Sequence, residues 1–217
     1  MKIVVTAGPT REPIDPVRFI SNRSSGKMGY AIAEAALEAG HQVVLISGPA
    51  ALPPPAAAHF ISILTSDELF AAVHEQVRDC DLLVMCAAVC DYQPLVRARQ
   101  KMEKDEGTFA LQLRPTRDIL ASLPHPDRSY FVVGFAAQTH DLAANARRKL
   151  HAKNCDVIVA NDVSDPAIGM ESDDNAVTLF ARDVAEKAIS RAPKKIIARE
   201  ILKIVFALRE KSLTKNS

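Results

Sequence analysis

Lys2-Ile3-Val4-Val5-Thr6-Ala7-Gly8-Pro9, a β-branched run that ends at two turn residues, decides the fold class of this 217-residue chain. Such a run is typical of a strand that is buried on both faces of a parallel sheet. We therefore predict a first strand over Lys2–Ala7. An irregular stretch follows to about Gly26. Apolar residues then recur at helical spacing from Met28 to Ala39, which predicts a helix that ends at Gly40.

The alternation of apolar strand and amphipathic helix continues along the chain. Thr65 and Glu68 have the spacing of a capping box, which predicts a helix through about Arg78. Asp141 is the expected N-cap of a later helix that ends near Lys153. Further strands are predicted at 43–46, 60–64, 82–88, 130–136 and 157–160. Because this alternation favours βαβ units, we expect a doubly wound, mostly parallel α/β sheet of the Rossmann-like kind, with helices on both faces.

Three segments depart from the alternation. Residues 93–107 are charged and weakly apolar, and we expect them to form a flap. Residues 108–113 and 175–180 alternate like half-exposed strands, so we expect them as edge additions to the sheet. The tail from Lys211 is polar enough to be mobile. No repeat or domain linker interrupts the rest, and we expect one domain over residues 1–217.

The charge balance excludes several classes of partner. Lysine and arginine total 27 against 26 aspartate and glutamate, which gives a formal net charge of +1. A net charge this small produces no strong electrostatic field that would favour binding to nucleic acid or to a membrane surface. No apolar run approaches the about 18 residues of a membrane span, the first residues lack a signal-peptide pattern, and the cysteines form no CxxC pair. We expect a cytoplasmic protein with no nucleic-acid or membrane partner.

The loop before the first helix, Arg18 through Gly29, is rich in arginine, serine and glycine. A helix N-terminus carries free N–H groups, so a phosphate or carboxylate fits there. The GxGxxG fingerprint is absent, and Met28 stands where a Walker A loop needs serine or threonine. The loop therefore indicates an anion site and no particular nucleotide class, with ordinary serine capping as the alternative.

Several blocks, in order, resemble phosphopantothenoylcysteine synthetase of coenzyme A biosynthesis over about residues 2–205. They are Thr6 to Asp15, Arg18 to Gly29, Ala87-Ala88-Val89 with Asp91-Tyr92, Val133 to Ala137, and Asn161-Asp162-Val163. The resemblance implies a ligase that joins 4′-phosphopantothenate to L-cysteine with CTP and Mg²⁺, through an acyl-cytidylate. It also implies a homodimer. Many bacterial members are fused to a flavin-dependent decarboxylase, so this chain is expected to correspond to the synthetase half, and a separate decarboxylase is a candidate partner that the sequence leaves open.

The resemblance also assigns residue roles. Asn22, supported by Arg18, is implied in the conversion of the acyl-cytidylate, and Lys101 in the flap is implied in its formation. The implied nucleotide-binding residues are Met85, Cys86, Ala87, Asp91, Lys101, Lys104, Thr116, Arg117, Phe135, Lys149 and Lys153. The substrate or anion loop comprises Ser21, Asn22, Ser24, Ser25 and Gly26. No residue is assigned as a metal ligand.

The residues alone leave structural alternatives open for these positions. The flap lysines are equally typical of a solvated charged loop, and Phe135 is typical of a core residue. Lys149 and Lys153, which share a helix face, are also suited to complement a helix C-terminus.

Three positions depart from the family pattern in the expected site, one of them Cys90, where alanine is usual. Arg117 stands where proline is usual, which places an extra cation beside the expected nucleotide and leaves base selectivity open. Gln138 replaces a usual glutamate. A non-catalytic nucleotide-binding module, or a degenerate partner of the decarboxylase, is therefore the alternative function. An NAD(P)-dependent reductase is a weaker one, because the glycine fingerprint is missing.

Overall fold

The structure is a computed structural model that describes residues 1–104, 106–124, 128–164 and 168–215. Along the chain, the strands are β1 (Lys2–Ala7), β2 (Arg11–Pro13), β3 (Phe19–Ser21), β4 (Gln42–Ser47), β5 (His59–Ser62), β6 (Leu82–Met85), β7 (Tyr92–Pro94), β8 (Leu113–Pro115), β9 (Phe131–Gln138), β10 (Val157–Asp162), β11 (Asp174–Ala181) and β12 (Lys187–Pro193). The helices are α1 (Lys27–Glu38), α2 (Ser66–Gln76), α3 (Ile119–Ser122), α4 (Leu142–Ala152) and α5 (Lys194–Lys215). Within these ranges, no helix combines the length and apolar character needed to span a bilayer.

The central sheet has the strand order β12-β11-β10-β9-β6-β1-β4-β5. The pairs from β5 across to β10 are parallel, whereas β11 and β12 add antiparallel strands at one edge. The chain runs from β1 to β4 and β5 on one side and then returns to β6 on the other. The strand order therefore reverses at β1, and ligands of doubly wound sheets bind beside such a reversal.

Helices cover both faces of the sheet, as the sequence predicts. On one face, Ile3 and Val5 of β1 pack with α1 and α5, and on the other Val4 packs with α2 and α4. All three side chains are fully buried. A strand whose alternate residues face two cores needs apolar residues throughout, which explains the β-branched run at the start of the chain.

Local signals predicted several boundaries correctly. The first strand covers the predicted Lys2–Ala7. The Thr65 cap is confirmed, because Glu68 N–H donates to Thr65 Oγ1 at 3.2 Å, whereas the Glu68 carboxylate accepts from the N–H of Leu64, the residue before the N-cap, at 2.6 Å. Asp141 is the N-cap of α4, but it has left-handed backbone angles and its side chain makes no capping bond.

Other expectations were wrong. Residues 108–113 do not form a strand on the central sheet; only Leu113 is in a strand, and β8 pairs with β7 in a separate small sheet. The predicted 175–180 strand exists as β11, but β12, which the sequence analysis did not predict, covers it. α5 continues into the tail to Lys215, and the mobility expected of the tail from Lys211 stays a prediction. Residues 216 and 217 lie outside the described residues.

Glycine is required where the loops after β1 and β4 cross. Gly48 N–H donates to Ala7 O at 3.0 Å, and a Cβ atom at Gly48 would lie 1.9 Å from the carbonyl oxygen of Pro9. The neighbouring Gly8 has a φ of 69°. Since the obstructing atom is backbone, a side chain fits at Gly48 only if the two loops separate.

We therefore expect Gly48→Ala to lower the free energy of unfolding by about 3 kcal/mol, at the upper end of the usual cost of overpacking. Urea denaturation measures this loss. Gly107→Ala is the matched control, since a Cβ there meets no atom within 4 Å. Equal stability of the two variants would contradict the steric argument.

Candidate active site

A cleft of about 570 Å³ opens at the carboxyl ends of the parallel strands, beside the start of α1. Its floor is formed by the loop after β6, and its walls come from residues 116–120, the end of β9, α4 and residues 169–170. The predicted site residues that line it are Asn22, Ser24, Gly26, Met85, Cys86, Ala87, Asp91, Thr116, Arg117, Phe135, Lys149 and Lys153. The structure therefore brings most of the predicted site together.

The floor is fixed by hydrogen bonds to the end of β1 and to the loop that follows it. Thr6 Oγ1 accepts from the N–H groups of Cys86 and Ala87, both at 3.1 Å. Ala88 N–H donates to Gly8 O at 2.9 Å, and Cys90 N–H donates to Thr10 Oγ1 at 2.9 Å. The predicted strand 82–88 ends early, at Met85, because these residues bond to the neighbouring loop instead of to a strand.

Asn22 extends over this floor. Its Nδ2 donates to Ala88 O at 3.0 Å and approaches Cys90 Sγ at 3.8 Å. An amide nitrogen carries two hydrogens, and the sulfur contact is long and weak. One N–H of Asn22 is thus held by the backbone, and the other is available to a stronger acceptor in the cleft.

The anion loop divides into two groups. Ser24 and Gly26 line the cleft, whereas Ser21 Oγ donates to Thr10 O at 2.8 Å and Ser25 Oγ donates to Met170 O at 2.7 Å. The N-cap of α1 is Gly26, which provides no side-chain capping bond. Serine capping therefore does not explain this loop, and the first N–H groups of α1 remain suited to an anion.

Lys149 of α4 and Lys153, the C-cap of that helix, line another wall. Lys153 forms an ion pair with Asp118, the N-cap of α3. The ammonium group of Lys149 has no hydrogen bond or ion pair within the part of the chain that the structure describes. Because the two side chains are one turn apart, both reach the same region of the cleft.

A further cleft lysine, Lys194, was missed by the sequence analysis. It is the first residue of α5 and is 6% exposed. Its Nζ donates to the carbonyl oxygens of Gly169 at 3.3 Å and Met170 at 3.1 Å, and also to Ser172 O. Burial lowers the pKa of Lys194. These carbonyl contacts join segments distant in sequence, and no local pattern indicates them.

Arg117 lines the cleft, but its guanidinium group is already bound to other side chains of the protein. Its Nε and Nη2 donate to Asp67 Oδ1 at 3.0 and 2.9 Å. Its guanidinium carbon lies 3.8 Å from the centroid of the Phe70 ring. The extra cation expected beside the nucleotide is therefore partly neutralised by a carboxylate of α2.

The thiol of Cys86 is not suited to nucleophilic attack. Burial raises its pKa to about 12. A thiol reacts as its thiolate, which is scarce at neutral pH when the pKa is this high. The cleft is therefore better suited to reactions in which the substrates supply the nucleophiles.

Residues 1–208 match the family described as DNA/pantothenate metabolism flavoprotein C-terminal domain. The chain belongs to this family. It is 46% identical over 211 residues to the coenzyme A biosynthesis bifunctional protein CoaBC of Vibrio vulnificus, covering 95% of this chain and 52% of that protein. It is 44% identical over 207 residues to CoaBC of Bacillus subtilis, covering 95% and 51%. The chain thus spans about half the length of these curated relatives.

A solved structure agrees with this assignment. The crystal structure of the C-terminal domain of coenzyme A biosynthesis bifunctional protein CoaBC matches with a TM-score of 0.81 and 38% identity, over 96% of each chain. The doubly wound fold predicted from the sequence is therefore shared with another member of the DNA/pantothenate metabolism flavoprotein C-terminal family.

Five of the site residues implied by resemblance to this family do not line the cleft. Besides Ser21 and Ser25, these are Arg18, Lys101 and Lys104. Arg18 is paired with Asp15, and the two flap lysines are exposed, with no side-chain partner in residues 1–104, 106–124, 128–164 and 168–215. Their roles stay predictions.

Proposed function

We propose that the protein is a phosphopantothenate–cysteine ligase that uses CTP. The observation that carries the proposal is family membership together with a cleft that contains an amide donor, Asn22, and two lysines. The volume of about 570 Å³ is within the usual range of small-molecule sites. The relatives at 44–46% identity are named for coenzyme A biosynthesis, which requires this ligation.

In the proposed first step, the carboxylate of 4′-phosphopantothenate attacks the α-phosphorus of CTP. A bond forms between the carboxylate oxygen and the phosphorus, the bond to the bridging oxygen breaks, and pyrophosphate leaves. Both reactants are anions, so the step needs fixed cations at the phosphates. Lys149 and Lys153 supply these from the cleft wall, and Lys101 is proposed to add a third.

In the proposed second step, the amine of cysteine attacks the acyl carbon and CMP leaves. The tetrahedral intermediate carries negative charge on the former carbonyl oxygen. A positioned N–H donor stabilises such an oxyanion. The second N–H of Asn22, which contacts only a weak sulfur acceptor, is suited to this role.

Mg²⁺ is proposed as the companion of CTP. Among the residues that the structure describes, no three histidine, cysteine, aspartate or glutamate side chains cluster as a metal site. Magnesium in nucleotide sites is usually bound by phosphate oxygens, water and one or two carboxylates, and the exposed Asp91 at the cleft suits that pattern. When bound, the ion would offset phosphate charge.

A homodimer is proposed to complete the site. Large apolar side chains are exposed on the small hairpins and the flap; they are Phe19, Tyr92, Leu95, Val96, Phe109 and Leu113. An exposed apolar patch of this kind is typical of an interface. Arg18 and Lys101 lie outside the cleft of their own chain, so the second copy is proposed to supply these two residues to it.

The test is pyrophosphate release by the purified protein with 4′-phosphopantothenate and Mg²⁺, comparing CTP with ATP, with and without cysteine. We expect release that depends on phosphopantothenate and prefers CTP, with one equivalent released when cysteine is absent. Binding of CTP without pyrophosphate release would overturn the ligase proposal in favour of a nucleotide-binding module.

Arg117→Pro restores the residue usual in the family. Because Asp67 holds two of the guanidinium nitrogens, the cation is only partly available, and we expect the substitution to weaken CTP binding moderately, by about three- to tenfold. Isothermal titration with CTP and ATP measures the change. Asp67→Asn is the companion variant: it frees the cation, so it should tighten CTP binding. If both variants bind CTP with wild-type affinity, Arg117 does not interact with the nucleotide.

A further inference from the structure

The buried carboxylate of Asp15 joins the β2–β3 turn to the flap. Its Oδ1 accepts from the N–H groups of Val17 and Arg18, both at 2.8 Å. Its Oδ2 accepts from Arg18 Nε at 2.8 Å, from Arg18 Nη2 at 2.6 Å and from Met102 N–H at 3.2 Å. The side chain of Asp15 is fully buried. Both of its oxygens are thus surrounded by donors.

The flap is held to this turn at two points. Arg18 Nη2 donates to Met102 O at 2.7 Å, in addition to its bonds with Asp15. Ala98 N–H donates to Ile14 O at 2.9 Å. Met102 is half-buried, whereas its neighbours Lys101 and Glu103 are exposed. Met102 is therefore the attached residue of this part of the flap, and Lys101 is one peptide bond away.

We propose that Asp15 is a positioning residue for the reaction: through Arg18 and Met102, it fixes the flap in the conformation that presents Lys101. This inference rests on the proposed function, because only the proposed ligase reaction gives Lys101 a role. The Arg18 guanidinium beside Asp15 holds the pKa of that carboxyl well below its usual range, so the group is charged at neutral pH. A charged acceptor makes stronger hydrogen bonds than a neutral one.

Asp15→Asn tests the positioning role with little change in size. An amide has one oxygen and one NH₂ group. Either orientation of the new amide would point N–H groups at the donors of Val17 and Arg18, or at those of Arg18 and Met102. Either orientation therefore weakens the attachment of the flap, because Arg18 loses its charged partner and one set of hydrogen bonds to residue 15 is replaced by facing donors, while the strands below stay packed.

Two readouts are measured on the purified full chain. Trypsin cleavage within the flap, which contains Arg97, Arg99, Lys101 and Lys104, should be at least about tenfold faster in Asp15→Asn, because cleavage follows local opening. Pyrophosphate release should fall at least about tenfold, because misplaced groups lose catalytic advantage. The KM for 4′-phosphopantothenate should stay within about twofold, since the cleft itself is intact.

Asp156→Asn is the matched control. Asp156 Oδ2 accepts from Arg128 Nη2 at 2.8 Å and from Val132 N–H at 2.7 Å, so it is also an aspartate with arginine and backbone donors. It belongs neither to the flap nor to the cleft. We expect it to lower the melting temperature without faster flap cleavage. If the two variants have equal flap cleavage at equal stability, Asp15 has no positioning role.

Hydrogen exchange of the wild-type protein tests the attachment of the flap even if Asp15→Asn does not fold. The amide hydrogens of Ala98 and Met102 should exchange with solvent at least about tenfold more slowly than those of Arg99 and Glu103. Equal exchange rates for these four amide hydrogens would show that the flap is not attached to the β2–β3 turn. If Asp15→Asn loosens the flap and pyrophosphate release stays unchanged, Lys101 has no role in the reaction and Asp15 has no positioning role. Failure of the ligase proposal gives a different result, because the wild type would then release no pyrophosphate.

Discussion

Lys101→Gln is expected to reduce pyrophosphate release by about 100-fold or more, with or without cysteine. The ammonium group is exposed and forms no ion pair within the described ranges, so its removal does not disturb the fold. In the proposed first step it faces the leaving pyrophosphate, and loss of one fixed electrostatic partner of this kind usually costs about 100- to 1,000-fold in kcat. Continuous pyrophosphate detection, at saturating CTP, measures the effect.

The control for Lys101→Gln is Arg99→Gln, which removes a cation from the same exposed flap two residues away. Its pyrophosphate release should equal that of the wild type. If both variants retain full activity, the flap contributes no cation to the reaction. If both lose activity equally, the net charge of the flap matters and Lys101 has no particular role.

Asn22→Asp should have the second large effect, on the other half of the reaction. The substitution removes both N–H groups of the amide and places a carboxylate beside Ala88 O, which Asn22 Nδ2 contacts at 3.0 Å. Without the donor for the oxyanion, amide formation should slow by about 100-fold or more. Pyrophosphate is still released once per site, so the acyl-cytidylate should accumulate and be found by mass spectrometry after acid quenching.

Asn145→Asp is the matched control, because Asn145 Nδ2 also donates to a backbone carbonyl, that of His140, at 3.1 Å. It lies outside the cleft, and we expect both steps to run at the wild-type rate. Equal slowing of the two steps in Asn22→Asp, with no accumulated intermediate, would contradict a role for Asn22 in the second step.

The two active-site variants together test the dimer. If Lys101 acts in the cleft of the partner subunit, a mixed dimer of Lys101→Gln and Asn22→Asp chains has one cleft with both defects and one with neither. Ligase activity should then return on mixing and re-equilibrating the two inactive proteins. If Lys101 serves its own cleft, every site keeps a defect and no activity returns.

Features set by local sequence were predictable. The β-branched run of β1, the Thr65 cap of α2, and Gly40 at the end of α1 each depend on residues within a few positions of one another. The general place of the site was also predictable, because once the strands are assigned to a parallel sheet, their carboxyl ends meet at one edge of that sheet.

Features set by tertiary contacts were not predictable. Lys194 faces the carbonyl oxygens of residues 169–172, and Arg117 pairs with Asp67 and stacks on Phe70. Each contact joins residues that are 22 to 50 positions apart. β12 was missed because its exposed, mixed residues carry no clear alternation, and it is a strand only because β11 offers an unpaired edge.

The attachment of the cleft floor to Thr6, Gly8 and Thr10 has an evolutionary consequence. Both threonines are fully buried, so altering the floor would disturb the buried end of β1 and the loop after it and cost stability. The walls are held by exposed pairs such as Arg117 with Asp67. Single substitutions there leave the core untouched, so under the proposed function we expect nucleotide preference to change more readily through the walls than through the floor.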